Sequence, residues 1–288
     1  MSEAAEPAAH RLTLVPTPIG NLADITLRSL ETLRGADVVA AEDTRRSRVL
    51  LDHYGITTPL TRLDAHTIAT RAAGLLRRHQ HVAFVTDAGS PGISDPGAEL
   101  VRIALDLGVE VEALPGPTAF VPALVLSGLP LARFTFEGFL PRRGRERRAR
   151  IAAIAARDHP SVLYEAPTRL LASLRELETA CGSGRAGSVA RELSKHFEEV
   201  LRGPLADLVA HFEAQAPRGE VVITVGPAEP GFEAVATPAA PADPVALAEA
   251  LAAGGVRGRE LRERLMAAGV PRDVAYGLAV KHKHGAPP

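Results

Sequence analysis

HVAFVTDAGSPGISDPGAELVRIALDL, residues 81–107, passes from an apolar run through a turn-rich loop into an amphipathic pattern. The apolar run 81–86 is typical of a buried strand, and the spacing of apolar residues after position 97 indicates a helix. The loop between them, 84–97, contains three glycines, two prolines and two aspartates. Because apolar strands that alternate with helices form βα units, the segment predicts an α/β fold with a mostly parallel sheet.

The loop is a poor phosphate site. Pro91 and Pro96 each remove a backbone N–H, and Asp87 and Asp95 would repel an anion. Its glycines are spaced GxxGxxxxG, which departs from the GxGxxG dinucleotide pattern, and no lysine follows the last glycine as in a phosphate loop. The loop instead suits a neutral or cationic ligand that carries hydroxyl or amino groups.

Composition restricts the class of protein. The chain has 288 residues, of which 46% are hydrophobic and 23% charged, and a net charge of −1, so it provides no global field for nucleic acid. Its single cysteine, Cys181, excludes an intramolecular disulfide and fits a reducing cytoplasm. We expect no membrane span, because no apolar run approaches about 18 residues, and no signal peptide.

Two series of predicted strands suggest two α/β domains. The first domain, 12–130, has apolar strands divided by helices, whereas the second, 131–228, shows cleaner alternation and predicts a mixed sheet. A disordered tail at 1–11 precedes them, and a Pro- and Ala-rich linker at 229–244 leads to a helix-turn-helix-like domain at 245–288. The predicted strands are LTLV (12–15), DVVAA (37–41), HVAFVT (81–86), VEVEAL (109–114), FTFEGF (134–139), SVLYEA (161–166), GSVARE (187–192) and EVVITVG (220–226).

Three further motifs follow strands of the first domain. VPTPIGNLADIT (15–26) is either the floor of a pocket or a plain βα connection. AEDTRRS (41–47) places Glu42 and Asp43 at the sheet edge where ligands bind, although Asp43 or Thr44 is equally suited to cap a helix, and both roles are compatible. LPGPTAF (114–120) leaves Thr118 free to bond. Because these elements converge on one edge, they predict a ligand cleft.

PRRGRERRAR (141–150) is a basic segment with six arginines in nine residues and one opposing charge, Glu146. Such a run is often a solvated helix start, but its density favours contact with a polyanion. It has no interleaved aromatic residue, so the pattern indicates phosphate contact and not base stacking. The predicted RNA-binding residues are Arg142, Arg143, Arg145, Arg147, Arg148 and Arg150.

A polar cluster follows a strand of the second domain in SVARELSKHFEE (188–199). Arg191, Glu192, Lys195 and His196 either orient a hydroxyl or act as a base, or they form a salt-bridged helix face. No pattern typical of a metal site occurs, so no metal is expected. His66 is a further candidate site residue because it lies in the loop after a short predicted strand near Asp43.

Several motifs, in this order, carry a resemblance to a known family. VPTPIGNLADIT, AEDTRRS, TDAGSPGISDPG, LPGPTAF, SGLP, FEGFLP, LYEAPTR and ARELSK resemble the bacterial small-subunit (16S) ribosomal RNA ribose methyltransferases, which modify a cytidine 2′-oxygen and belong to the tetrapyrrole methylase superfamily. The resemblance covers about residues 12–226, and the C-terminal helical pattern is similar to the family's small helical domain.

The resemblance implies a two-domain tetrapyrrole methylase-like fold, with a parallel-sheet N-terminal domain, a mixed-sheet second domain and a small C-terminal helical domain. It implies that S-adenosylmethionine binds between the two α/β domains, and that the partners are small-subunit ribosomal RNA or the assembling 30S subunit and a second copy of the chain, in the cytoplasm. The implied cofactor residues are Pro18, Asp87, Gly89, Ser90, Ile93, Thr118, Ala119, Tyr164, Glu165, Arg191 and Val222. Candidates for a base that activates the ribose hydroxyl are Glu42, Asp43, His66, Glu192 and Lys195.

The chain departs from the family pattern at Thr168, where histidine is common, and at Thr67 and Ile68, where Asn and Glu often follow LDAH. Two alternatives remain open. Carbon methylation of a porphyrin or corrin precursor would favour a GxGxGD-like turn where this chain has PTPIGNL. An RNA-binding protein without catalysis would not bind S-adenosylmethionine.

Overall fold

A computed structural model describes residues 10–228, 243–270 and 272–282. Most of the predicted tail and most of the predicted linker therefore lie outside the described residues. Arg11, which we assigned to the tail, already begins the first strand. The predicted domain boundaries stay predictions.

The first sheet has five parallel strands in the order β3-β2-β4-β1-β5. Both faces are covered, so the central strands are buried beyond their first residues: in β4 the ring of Phe84 packs into one core cluster and Ala83 and Val85 into another. The strands are β1 (Arg11–Leu14), β2 (Val38–Ala41), β3 (Leu60–Arg62), β4 (His81–Val85) and β5 (Glu110–Ala113). The helices between them are α1 (Leu27–Gly35), α2 (Thr44–His53), α3 (Ile68–Arg78) and α4 (Gly97–Asp106).

The second sheet is mixed, as predicted, in the order β6-β7-β10-β8-β9, with one parallel pair, β6 and β7, and antiparallel pairs elsewhere. Its strands are β6 (Thr135–Phe139), β7 (Ser161–Glu165), β8 (Ala186–Arg191), β9 (Glu199–Pro204) and β10 (Val221–Val225). Helices α6 (Arg145–Ala156), α7 (Leu170–Cys181) and α8 (Leu205–Ala214) bury their apolar faces against it.

Strand β9 was not predicted, and of the two alternatives left open for the polar cluster that follows β8, the salt-bridged helix face does not form. After β8 the chain turns through Glu192 and Ser194, whose φ angles of +52° and +68° are incompatible with a right-handed helix, and it returns antiparallel as β9. Most side chains of β9 are only half-buried at the sheet edge, so the strand lacks a clear apolar alternation.

Helix α5 (Phe120–Ser127) joins the two sheets. It follows β5 of the first sheet, yet its Ala123 and Leu124 pack against Val162, Ala190 and Val222 of the second. Three further helices, α9 (Pro244–Ala253), α10 (Gly258–Ala267) and α11 (Arg272–Lys281), share a separate apolar cluster. In the part of the chain that the structure describes, every helix falls short of the length and apolarity needed to cross a bilayer.

Candidate active site

The predicted strand-end loops converge at the carboxyl edge of the first sheet. Thr17 and Gly89 exchange two backbone hydrogen bonds, at 3.0 and 2.9 Å, which join the loop after β1 to the loop after β4. The hydroxyl of Ser90 donates to the carbonyl of Pro117 at 2.9 Å and adds the loop after β5. Gly89 adopts a φ of +83°, a left-handed conformation that glycine tolerates and that turns the chain back towards Thr17.

A cavity of about 500 Å³ lies between this edge and the strand ends β7 and β10 of the second sheet, a size typical of small-molecule sites. Nine of the predicted cofactor residues line it, namely Asp87, Gly89, Ser90, Ile93, Thr118, Ala119, Tyr164, Glu165 and Val222. Pro18 and Arg191 are not part of this lining. The guanidinium of Arg191 instead binds Glu199 at 3.0 Å, within the β8–β9 pair.

Three oxygen atoms beside the cavity are buried without a hydrogen-bond partner among the described residues. They are Oγ1 of Thr86, Oδ1 of Asp87 and Oγ1 of Thr118, and all three residues line the cavity. The other carboxylate oxygen of Asp87 lies 3.3 Å from Nη1 of Arg46. Since buried polar atoms are normally paired, these oxygens are ready to bind hydroxyl, amino or cationic groups of a ligand.

Glu42 is the one of the five candidate bases that lines the cavity. Its backbone N–H donates to the carbonyl of Val85 at 3.3 Å, which holds the end of β2 beside the end of β4. Burial raises the pKa of the Glu42 carboxyl above its ordinary value of 4.5, and the carboxylates of Asp87 and Asp95 raise it further. Glu42 therefore holds its proton more readily than an exposed glutamate.

Asp43 and His66 lie outside the cavity lining. Asp43 caps α2: one carboxylate oxygen accepts from the backbone N–H of Arg45 at 2.9 Å, and the other is 2.7 Å from the Arg45 guanidinium. These bonds lower the pKa of Asp43 well below its usual range, so the residue is a weak base. His66 is exposed, and its backbone N–H bonds the carboxylate of Asp64 at 3.1 Å.

Glu192 and Lys195 form an ion pair at the rim of the cavity. The Lys195 ammonium lies 2.8 Å from Glu192 and 3.1 Å from Glu220, which itself lines the cavity. Burial alone would lower the pKa of Lys195, but the hydrogen bonds that its ammonium donates to the two glutamates outweigh burial and raise the pKa. A lysine that holds its proton so firmly is unsuited to act as a base.

Gly20 explains how Lys195 reaches that position. A Cβ at Gly20 would lie 2.4 Å from Cγ of Lys195, so a side chain at this position would displace the lysine stem from the loop after β1. The VPTPIGNL and ARELSK motifs, distant in the sequence, therefore meet at the rim.

Glu165 lines the cavity, but its carboxylate is occupied. It is fully buried, lies 2.6 Å from the guanidinium of Arg169, and accepts from the backbone N–H of Ala166 and the hydroxyl of Ser173. This carboxylate stabilises the turn after β7. Because its oxygens are already bonded, Glu165 offers a ligand no free carboxylate.

The arginine segment 142–150 spans the start of α6, and its arginines differ in their exposure to solvent. Arg142, Arg143, Arg145 and Arg148 are exposed. Arg147 is only 5% exposed, and it binds Glu176, Ser173 and the Pro141 carbonyl, which argues against the predicted phosphate contact.

Arg150 is also committed to an internal contact. It lies at 2.7 Å from the buried carboxylate of Glu137, and its side chain is 30% exposed. Helical periodicity places every third or fourth residue of a run on the buried face, so a continuous basic run cannot expose all its members.

Several lining residues that carry chemistry had no predicted site role, among them Arg46, Thr86, Phe139 and Glu220. Arg46 lies in the AEDTRRS motif, in the first turn of α2, and its pairing with Asp87 had no local signal in the sequence. Phe139 ends the FEGF strand, where alternation would place it on the opposite face. No group of three or more His, Cys, Asp or Glu in the described ranges is placed to hold a metal ion.

Comparison with known proteins gives a consistent result. Residues 11–209 match the family model described as Tetrapyrrole (Corrin/Porphyrin) Methylases. The chain is 48% identical, over 78% of each chain, to Ribosomal RNA small subunit methyltransferase I of Mesorhizobium japonicum. It is 42% identical to the Escherichia coli O157:H7 protein of the same name, over 77% of this chain and 80% of the relative.

Solved structures share the fold at low identity. A uroporphyrin-III C-methyltransferase from Thermus thermophilus aligns with a TM-score of 0.57 at 23% identity, over 75% of this chain and 94% of that one. A diphthine synthase aligns with a TM-score of 0.62 at 17% identity, over 75% and 90%. These likenesses support the arrangement of the two sheets and not a shared substrate.

Proposed function

The chain belongs to the tetrapyrrole (corrin/porphyrin) methylase family, and from this premise we propose that it methylates the ribose 2′-hydroxyl of a cytidine in small-subunit (16S) ribosomal RNA, with S-adenosylmethionine as donor. The observation that carries the proposal is the cavity between the two sheets with its three unpartnered buried oxygens. The relatives at 42–48% identity, named as small-subunit ribosomal RNA methyltransferases, support RNA as the acceptor.

The cavity residues fit the donor. S-adenosylmethionine supplies, when bound, a methyl group activated by a positive sulfonium, together with ribose hydroxyls and an amino group. Asp87 offers a carboxylate to the cation or to a hydroxyl. Thr86 and Thr118 offer hydroxyl groups that have no hydrogen-bond partner among the described residues. Ile93, Ala119 and Val222 add apolar walls. Together these groups bind a cationic, hydroxyl-rich ligand and exclude much of the water.

The chain's own contribution to the reaction is positioning and proton removal. Holding two reactants in line accounts for a large share of the acceleration in group transfer. The carboxylate of Glu42 takes the proton from the ribose 2′-hydroxyl, a step that contributes roughly 100-fold or more in comparable enzymes. Glu42 is chosen as the base because it lines the cavity, whereas the other four candidates do not.

The exposed arginines at the start of α6 and just before it provide the second half of the site. Arg142, Arg143 and Arg145 follow the strand that ends at Phe139, a residue of the cavity lining, and their exposed cations suit the phosphates of an entering RNA. The substrate is free 16S ribosomal RNA or the assembling 30S subunit. The family resemblance further supports a cytoplasmic homodimer, which light scattering of the purified chain would test.

The deciding experiment maps 2′-O-methylation in 16S ribosomal RNA from cells with and without this chain. Loss of one cytidine modification, restored by the wild-type gene, is the expected result. Purified protein with methyl-labelled S-adenosylmethionine is then offered naked RNA, 30S subunits and a tetrapyrrole precursor. Label only in the tetrapyrrole would overturn the RNA substrate, and failure to bind S-adenosylmethionine would favour an RNA-binding protein without catalysis.

A further inference from the structure

Phe139 lines the cavity, and this apolar side chain is 49% exposed. The cause is an irregularity in β6. Phe136 pairs with Val162 and Phe139 with Tyr164, so three steps along β6 match two along β7. Such an extra residue is a β-bulge, and Gly138, at a φ of +60°, supplies the conformation it needs.

The bulge decides which face Phe139 occupies. In a regular strand, positions 137 and 139 would share one face. Glu137 faces α6, where its buried carboxylate binds Arg150 and Arg157. The extra residue turns Phe139 to the opposite side, where its ring lies 5.6 Å from that of Tyr164 at 58°. The bulge thus aims an aromatic ring into the cavity, and bulges are frequent beside active sites.

The surroundings of the ring match a nucleic acid better than the cofactor. The unpartnered oxygens lie on loops of the first sheet, whereas Phe139 ends the edge strand of the second. Three residues after it the chain reaches the exposed arginines Arg142, Arg143 and Arg145, around the start of α6. An aromatic surface next to cations is the arrangement with which proteins hold single-stranded nucleic acid, the ring stacking a base and the cations binding phosphates.

We propose that Phe139 is the stacking surface for a nucleobase of the RNA substrate, next to the ribose that accepts the methyl group. The inference rests on the proposed function. Sequence-specific RNA enzymes act on unstacked nucleotides, whose bases are held on aromatic side chains. The arginine run has no aromatic residue of its own, and the preceding strand supplies one.

The test measures the binding affinity of two RNA probes of equal charge, an oligocytidine and the same strand with abasic riboses. Four proteins are compared, namely wild type, Phe139→Ala, Phe139→Tyr and Phe134→Ala. Wild type should bind the strand with bases more tightly by on the order of 5- to 150-fold, the range for one stacked base. Phe139→Ala should lose most of that preference and Phe139→Tyr should keep it. Phe134→Ala is the matched control, because Phe134 is 42% exposed, packs on Phe120 and is not part of the cavity lining.

Calorimetric affinity for S-adenosylmethionine should be unchanged in all four proteins, and the two alanine variants should lose similar amounts of melting temperature, because each removes a half-buried ring. A Phe139→Ala variant that keeps the base preference overturns the inference, as does a wild type without one. Weaker binding of S-adenosylmethionine with an intact base preference would assign the ring to the cofactor instead. The proposed function fails separately, if wild type transfers no methyl group to ribosomal RNA.

Discussion

The ring of Pro16 occupies the space where position 116 would otherwise carry a side chain: a Cβ built on Gly116 would lie 2.5 Å from Cβ of Pro16. Pro16 follows β1 and Gly116 follows β5, which are neighbours in the first sheet. Their contact holds the VPTP and LPGP turns together at the edge where the cavity opens.

Gly116→Ala should therefore destabilise the fold and weaken S-adenosylmethionine binding, because a proline ring cannot move aside as a flexible side chain would. Overpacking of this kind costs about 1–3 kcal/mol. Gly184→Ala is the control, since nothing lies within 4 Å of a Cβ at that position. Equal melting temperatures for the two variants would show that the two turns adjust independently.

Asp87→Asn should weaken binding of S-adenosylmethionine while leaving the fold intact. The change keeps the shape but removes the charge from the buried Oδ1, so we expect a loss on the order of 1 to 3 kcal/mol in calorimetry. Asp106→Asn in the following helix removes an equal charge from an exposed ion pair and serves as the control. Unchanged affinity in Asp87→Asn would remove the residue from the site.

Much of this site was predictable because parallel strands bring their carboxyl ends to one edge. That rule brings the motifs of Glu42, Asp87 and Thr118 to one edge, whereas the cofactor roles of Asp87 and Thr118 came from the family resemblance. It could not resolve the cavity wall of the second sheet, where antiparallel pairs mix the strand ends and a bulge reverses Phe139. Nor could charge density in the sequence distinguish the buried Arg147 from its exposed neighbours, since that depends on the face α6 turns to the core.

Glu42→Gln should lower methyl transfer and remove its acid limb. The pKa of Glu42 is raised, so the wild-type rate should fall with decreasing pH at a midpoint above 4.5, the ordinary value. The raised pKa also means that ionisation of Glu42 lowers the free energy of unfolding. This loss is absent below the pKa that Glu42 has in the unfolded chain, and it develops as the pH rises through the pKa of Glu42 in the folded protein. The variant should therefore melt higher than wild type at neutral pH and equally in acid. Identical pH–rate profiles would exclude Glu42 as the base.

Arg147→Ala should destabilise the fold where Arg148→Ala does not. Arg147 is buried and donates to Glu176, Ser173 and the Pro141 carbonyl, and its loss should cost about 2 kcal/mol or more. Arg148 is exposed, and its replacement should stay within about 0.5 kcal/mol. Denaturant unfolding measures both. Equal stabilities would mean that the buried contacts of Arg147 add nothing beyond their desolvation cost.

Replacing Arg142, Arg143 and Arg145 together with alanine should weaken RNA binding and flatten its dependence on salt. Removing an arginine that binds a phosphate reduces the slope of log K against log salt by roughly 0.7 to 0.9, depending on strandedness. Affinity for S-adenosylmethionine should not change, because these side chains are exposed and outside the cavity lining.

The control removes the same number of charges from an exposed face of α3, with alanine at Arg71, Arg77 and Arg78. If both triple variants flatten the slope equally, the effect reflects net charge and not contact. If neither does, Arg142, Arg143 and Arg145 belong to a solvated helix start, and the RNA docks elsewhere. The next surface to test is then that of the C-terminal helices, through Arg257, Arg259, Arg262 and Lys281; Lys283, which belongs to the same predicted surface, lies outside the described residues.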